Sequence, residues 1–188
     1  RISGYFGSTI YIIAWDALKE FIESGGHMRL ICSPYISDED ERAMSRGYSA
    51  RHDVLLADSL RAEMDNLFSQ AALSAPATLL AYMIAEDIID IRIAAIDSGM
   101  LTADVRRMFH DKVGIFKDTF NNAVGFRGSM NETYKGLSSD GNIESIDAFP
   151  SWLGERDAQR LTDAATLFNR LWENSVPNIS VYKFPDAV

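Results

Sequence analysis

His110 and Lys112 are separated by one residue in the second half of the chain. On a β-strand, residues two apart project from the same face and lie about 7 Å from each other. The next residues on that face would be Gly114 and Phe116, so the histidine and the lysine stand together at one end of an otherwise apolar strand face. Because burying a lysine without a partner is costly, this arrangement requires an explanation.

A second group of polar residues follows the next predicted strand. Gly128 would let the backbone approach a ligand closely, and Ser129 and Asn131 offer neutral hydrogen-bond donors. Glu144, at the start of a further strand, could hold a histidine ring by its second nitrogen. Together with His110 and its neighbouring lysine, these residues provide a nucleophile, a cation, neutral donors and an orienting acid. Such a set suits attack on a phosphodiester.

The pattern H-x-K, then G-S-x-N, then a downstream glutamate resembles the active-site signature of the phospholipase D superfamily. The resemblance is strongest from His110 to Trp152, where the sequence is similar to small bacterial endonucleases and restriction enzymes of this fold. It is similar above all to the phospholipase D-like domain at the start of some bacterial helicases. One position departs from the pattern, because the family's aspartate five residues after the lysine is replaced by Lys117, and Asp118 follows it.

The resemblance implies a role for each residue that matches the motif. His110 would attack phosphorus and form a phosphohistidine, and Glu144 would orient and charge its imidazole. Lys112 and Asn131 would hold the non-bridging oxygens, and Ser129 would add a hydrogen bond. The resemblance implies no metal and no other cofactor. Three residues beside these are candidate substrate-binding residues, namely Arg127, Gly128 and Thr133.

The number of histidines bears on both metal binding and oligomeric state. The chain has three, His27, His52 and His110, and no group of histidines and carboxylates has the spacing of metal ligands. The family mechanism uses two histidines, one as the nucleophile and one as the acid on the leaving oxygen, but this chain has one H-x-K motif. A two-fold homodimer would supply the second histidine.

The elements that must position these residues alternate between strands and helices. This alternation predicts a layered α/β domain, with a mixed β-sheet flanked by helices and an antiparallel pair of strands around Asn121-Asn122. Residues 1–183 are expected to form one phospholipase D-like catalytic domain, and residues 184–188 a linker or tail toward a further domain. Strands are predicted at residues 2–6, 28–32, 88–96, 109–116, 123–126, 143–149 and 179–182, and helices at residues 9–23, 37–47, 54–68, 76–85 and 155–174.

Composition limits the class of protein. The chain has 188 residues, which suits one domain, and a single cysteine, Cys32, which favours a reducing, cytoplasmic environment. Its net charge of −9 argues against a general nucleic-acid coat protein but leaves room for a local basic cleft. No apolar run approaches the ~20 residues that span a bilayer, so no membrane partner is expected.

These observations predict a metal-independent phosphodiesterase, specifically a DNA endonuclease that acts through a phosphohistidine. The expected partners are DNA, a second copy of the chain, and a helicase domain of the same or another protein in a restriction, defence or helicase system. Two alternatives remain open. The chain could be a non-catalytic nucleic-acid-binding or dimerisation module of a helicase, or a phosphodiesterase that acts on phospholipids.

Overall fold

Seven strands form one mixed sheet in the part of the chain that the computed structural model describes, which is residues 2–4, 6–96, 109, 111–129 and 144–184. The strands are β1 (Ile2–Gly4), β2 (Met28–Cys32), β3 (Ile89–Ile96), β4 (Val113–Lys117), β5 (Ala123–Gly128), β6 (Ile146–Pro150) and β7 (Ile179–Lys183). Within the same residues, six helices accompany them: α1 (Ile10–Ile13), α2 (Trp15–Glu23), α3 (Asp38–Ala50), α4 (Val54–Phe68), α5 (Pro76–Ala85) and α6 (Glu155–Trp172). None of these helices is long and apolar enough to cross a membrane.

The sheet has a parallel centre and antiparallel flanks. Its strand order is β6-β5-β4-β1-β2-β3-β7, in which β1, β2 and β3 run parallel and every other neighbouring pair is antiparallel. Parallel neighbours need long crossover connections, which the helices α1 to α5 provide, whereas β4 and β5 are joined by a short turn. The mixed α/β fold expected from the sequence is therefore confirmed.

Asp118 builds the turn between β4 and β5. Its Oδ1 atom accepts hydrogen bonds of 2.8 Å from the backbone N–H groups of Phe120 and Asn122, and its Oδ2 atom accepts one of 2.7 Å from the Asn122 side chain. These donors, with the Asn122 side chain first, hold the pKa of Asp118 below its ordinary value. Asn121 takes a positive φ of 69°, a conformation that asparagine tolerates well. In this structure Asp118 thus shapes the hairpin.

Both faces of the central strands are buried, as is usual for parallel strands. The first face carries Ile2, Leu30 and Ile91, which are neighbours in the strand register and belong to a large core shared with α1 to α5. The second face carries Ile31 and Ala94, which pack against residues of α6 in a smaller core. The adjacent residues of β2 therefore point into two different cores, which explains why its last three residues, Leu30, Ile31 and Cys32, are all apolar and buried.

Gly47 lies inside α3 and does not end it as the sequence predicted. A Cβ atom at this position would lie 2.6 Å from the backbone oxygen of Ala81 and 2.7 Å from Cβ of Ile84, so the glycine allows α3 and α5 to pack closely. The α3 helix continues to Ala50. The predicted start is confirmed, because the Ser37 side chain accepts a hydrogen bond from the backbone N–H of Asp40.

Other elements begin or end a few residues away from the positions that the sequence predicted. The helix expected over residues 9–23 is divided at Ala14 into α1 and α2. β4 begins at Val113 rather than at Phe109, and β6 begins at Ile146 rather than at residue 143. β2, α4 and α5 have the expected bounds, because their apolar runs end at clear turn or capping residues.

The described part of the domain includes Phe184, which the sequence assigned to the tail. Its side chain is 2% exposed, belongs to the large core and stacks on Tyr48 with 5.7 Å between ring centroids. The domain therefore extends at least one residue beyond the boundary expected at residue 183. Residues 185–188 lie outside the described residues.

Arg51 joins the end of α3 to the start of β3. Its side chain donates hydrogen bonds to the backbone oxygens of Ile84 (2.7 Å) and Ile89 (3.2 Å) and to Oδ1 of Asp90 (3.2 Å). The guanidinium also lies 3.0 Å from the carboxylate of Asp87. One side chain thus satisfies acceptors on α5 and β3, which lie 33 or more residues away from Arg51 in sequence.

Replacing this residue in the variant Arg51→Met should lower the free energy of unfolding by about 2 kcal/mol, because two backbone carbonyls and a carboxylate lose a donor. Urea denaturation measures the change. The matched control is Arg61→Met, since Arg61 is 51% exposed and pairs only with side-chain carboxylates. An equal loss of stability in both variants would contradict the special role of Arg51.

Candidate active site

Lys112 lies at the start of β4 and is 7% exposed. Its backbone oxygen accepts a hydrogen bond of 3.3 Å from the N–H of Gly128, which continues the β4–β5 ladder. On the other side, the register of β4 with β1 places Lys112 beside Gly4, where a Cβ atom would lie 3.9 Å from Cγ of Lys112. Lys112 therefore lies between two neighbouring strands, beside Gly4 on one side and Gly128 on the other.

Burial lowers the pKa of Lys112 from its ordinary value. The carboxylates of Glu144 and Asp111 act in the opposite direction, because a negative charge nearby favours the ammonium form. Burial has the larger effect, so the folded protein disfavours the charge that it holds at this position. A site that keeps a cation despite this cost is suited to binding an anion.

Glu144 is held in place by Ser129. The Ser129 hydroxyl donates a hydrogen bond of 2.5 Å to Oε2 of Glu144 and accepts one of 3.0 Å from the backbone N–H of Ser145. The backbone N–H of Ser129 in turn donates to the oxygen of Ser145 at 3.0 Å. The resemblance implied that Ser129 adds a hydrogen bond in the site, and in the structure its hydroxyl donates to Glu144.

Gly128 has a packing reason to be a glycine. A Cβ atom here would lie 2.3 Å from the backbone oxygen of Ser145, so a side chain would separate β5 from the segment that enters β6. This close approach lets Ser129 and Glu144 meet across the two strands. Whether Gly128 also contacts substrate, as the sequence predicted, stays a prediction.

Arg127 lies on the opposite face of the sheet from Lys112. It pairs with Val113 in the register, and the two residues line a small depression against α6 together with Ser3 and Asp111. Nη2 of Arg127 is 3.9 Å from Oδ1 of Asp111. The structure therefore does not bring the Arg127 side chain to the face on which Lys112 lies.

Three of the predicted site residues lie outside the described residues: His110, Asn131 and Thr133. Both sequence neighbours of His110 are described. Phe109 is 4% exposed and belongs to the core that α6 shares with β2, and Oδ2 of Asp111 accepts a hydrogen bond of 3.4 Å from Ser3 Oγ. The chain is thus fixed to the α6 side of the sheet immediately before and after His110.

Asp111 is the residue of this region that the sequence did not single out. A signal was present, because a charged residue between two predicted site residues must point to the other face of a strand.

Cys32 is excluded as a nucleophile, since burial, with a smaller contribution from Asp40, raises its pKa to about 12.

Comparison with protein families and with curated protein sequences assigns no role to the residues of this site, so they are interpreted from their own contacts. No protein-family model matches the chain, and no curated protein sequence matches it either. Among the described residues, histidine, cysteine and carboxylate side chains form no group of three or more that could hold a metal ion.

The variant Lys112→Met should have a higher free energy of unfolding than the wild type at neutral pH, because it removes a charge that burial disfavours. A lysine whose pKa is lowered by folding lowers the free energy of unfolding when it is charged. The whole of this effect is present at pH values below the folded-state pKa. This destabilisation disappears as the pH rises from the folded-state pKa to the ordinary lysine pKa, so the difference between variant and wild type should shrink over that range.

Chemical denaturation at a series of pH values measures this difference. The control is Lys117→Met, which removes an exposed lysine from the far end of β4. Destabilisation by Lys112→Met at neutral pH would show that the attraction of Glu144 and Asp111 outweighs burial.

Proposed function

We propose that the chain is a metal-independent phosphodiesterase of the phospholipase D type that cleaves DNA through a phosphohistidine on His110. The observation that carries the proposal is the buried Lys112, held at a sheet end near a carboxylate, Glu144, that Ser129 fixes in position. A cation kept in place at an energetic cost is a natural ligand for a non-bridging phosphate oxygen.

The proposed role of His110 requires its imidazole to lie on the face that carries Lys112. The described neighbours are compatible with this requirement, because Phe109, Asp111 and Val113 all lie on the α6 side. Glu144, fixed by its hydrogen bond from Ser129, would then accept the second imidazole N–H and keep the attacking nitrogen unprotonated.

The proposed reaction has two displacements at phosphorus. The unprotonated imidazole nitrogen of His110 forms a bond to phosphorus, and the bond to the leaving alkoxide breaks as that oxygen takes a proton from an acid. Water then attacks phosphorus, releases the histidine and gives its proton to the acid that was deprotonated in the first step. Lys112 and Asn131 would neutralise the charge on the non-bridging oxygens in both steps.

The acid in the first step would be His110 of a second copy of the chain. A nucleophile and an acid must lie on opposite sides of phosphorus, and a two-fold axis places two copies of one residue in that relation. We therefore propose a homodimer that acts in the cytoplasm, as a module of a restriction, defence or helicase protein.

Purified protein should cleave DNA equally well with and without EDTA, whereas His110→Ala should lose several orders of magnitude in turnover because binding groups cannot replace a nucleophile. His52→Ala is the control, since His52 is exposed and lies between α3 and α4. RNA and phospholipid vesicles are assayed in parallel. Cleavage that EDTA abolishes and magnesium restores would contradict the mechanism, and cleavage of phospholipid alone would favour the phospholipase alternative.

Mixed dimers test the composite site. Wild-type protein and His110→Ala carrying different affinity tags are dissociated together, reassociated and purified through both tags. The heterodimer should have almost no activity, because each site needs both histidines. Retention of about half the wild-type activity would show that each chain works alone, and monomeric protein in light scattering would contradict the homodimer.

A further inference from the structure

Arg127 is the most weakly held of the ion-paired arginines in the described residues. Its distance of 3.9 Å to Asp111 is the longest among the ion pairs of those residues. Charge-assisted hydrogen bonds measure about 2.7–2.9 Å, so this contact is a loose one. The Arg127 side chain is also the most exposed of these arginines, at 59%. Exchanging its present partner for another anion would therefore cost little.

The two carboxylates that could hold Arg127 more tightly are both engaged by other groups. Asp147 lies directly across from Arg127 on β6, but its carboxylate is bound by Arg160 of α6. Asp111 accepts a hydrogen bond from Ser3 on β1. The guanidinium of Arg127 thus remains exposed near the end of β5 although the chain as a whole is strongly acidic.

Arg127 and Lys112 lie near the same end of the sheet but on opposite faces. Arg127 pairs with Val113, and Gly128 donates to the backbone oxygen of Lys112, so the two cations are only one register position apart along the strands. Because their side chains leave the sheet in opposite directions, a single phosphate cannot contact both. A polymer that carries a phosphate at every nucleotide can offer a different phosphate to each cation.

We propose that Arg127 binds a phosphate that flanks the scissile one, and that the substrate is therefore a nucleic-acid strand, which carries further phosphates beside the one at Lys112. This inference rests on the proposed function and deepens it. The planar guanidinium suits the role, because it offers two parallel N–H groups to the oxygens of one phosphate. Asp111 keeps the guanidinium near the strand end until the phosphate displaces it.

The experiment compares one small substrate with one long substrate. Hydrolysis of bis(4-nitrophenyl) phosphate and of a labelled oligonucleotide is measured for the wild type, Arg127→Ala and Arg127→Lys. Arg61→Ala serves as a matched control, because Arg61 is also half exposed and lies on α4. Thermal melting confirms that each variant is folded.

Arg127→Ala should lower kcat/KM for the oligonucleotide on the order of tenfold, through KM, because one charged hydrogen-bonding contact is lost. The loss on the small diester, which has no flanking phosphate, should be clearly smaller than the loss on the oligonucleotide, and Arg127→Lys should recover part of the latter. In a His110→Ala background, Arg127→Ala should reduce the slope of log affinity for the oligonucleotide against log salt concentration by about one. Arg61→Ala should change none of these quantities.

The outcomes separate this inference from the proposed function. Equal losses on both substrates would overturn the flanking contact, since Arg127 would then act only by supporting the strand through Asp111. An unchanged KM for the oligonucleotide would overturn it as well. If the wild type hydrolyses nothing while the binding slope still falls by about one, the phosphate contact stands and the proposed catalysis fails.

Discussion

The burial of one charged side chain, Lys112, is the constraint on which the rest of the described site depends. An ammonium group can lie along a sheet only where its neighbours leave space and supply compensating charge. Glu144 and Asp111 supply that charge. The lysine lies between β1 and β5, beside Gly4 of the first strand and hydrogen-bonded through its backbone oxygen to Gly128 of the second.

The interactions that stabilise the fold lie mostly away from this sheet end. α3 and α5 pack closely through Gly47, and Arg51 fastens the end of α3 to the backbone around β3. The parallel strands β1 and β2 are therefore supported by a large core that does not involve the site. A site that holds a disfavoured charge needs such a support, because it contributes little stability of its own.

At the start of β4, the two faces of the sheet carry different groups of charged residues. One face presents Lys112 and, across β5, the carboxylate of Glu144 that Ser129 fixes. The opposite face carries Asp111 and Arg127, next to the core that anchors Phe109 against α6. Because adjacent residues of a strand point to opposite faces, a change at Asp111 can influence the position of its neighbours without contacting a substrate.

The sequence by itself determined the alternating α/β pattern, the bounds of β2, α4 and α5, and the spacing that makes Lys112, Ser129 and Glu144 notable. These features are local, since periodicity, capping and turn residues act within a few positions. Only the tertiary structure decided that Ser129 holds Glu144, that Arg127 lies on the face opposite Lys112, and that Gly47 continues a helix. Each of these depends on which distant strand or helix becomes a neighbour, and no local pattern encodes that choice.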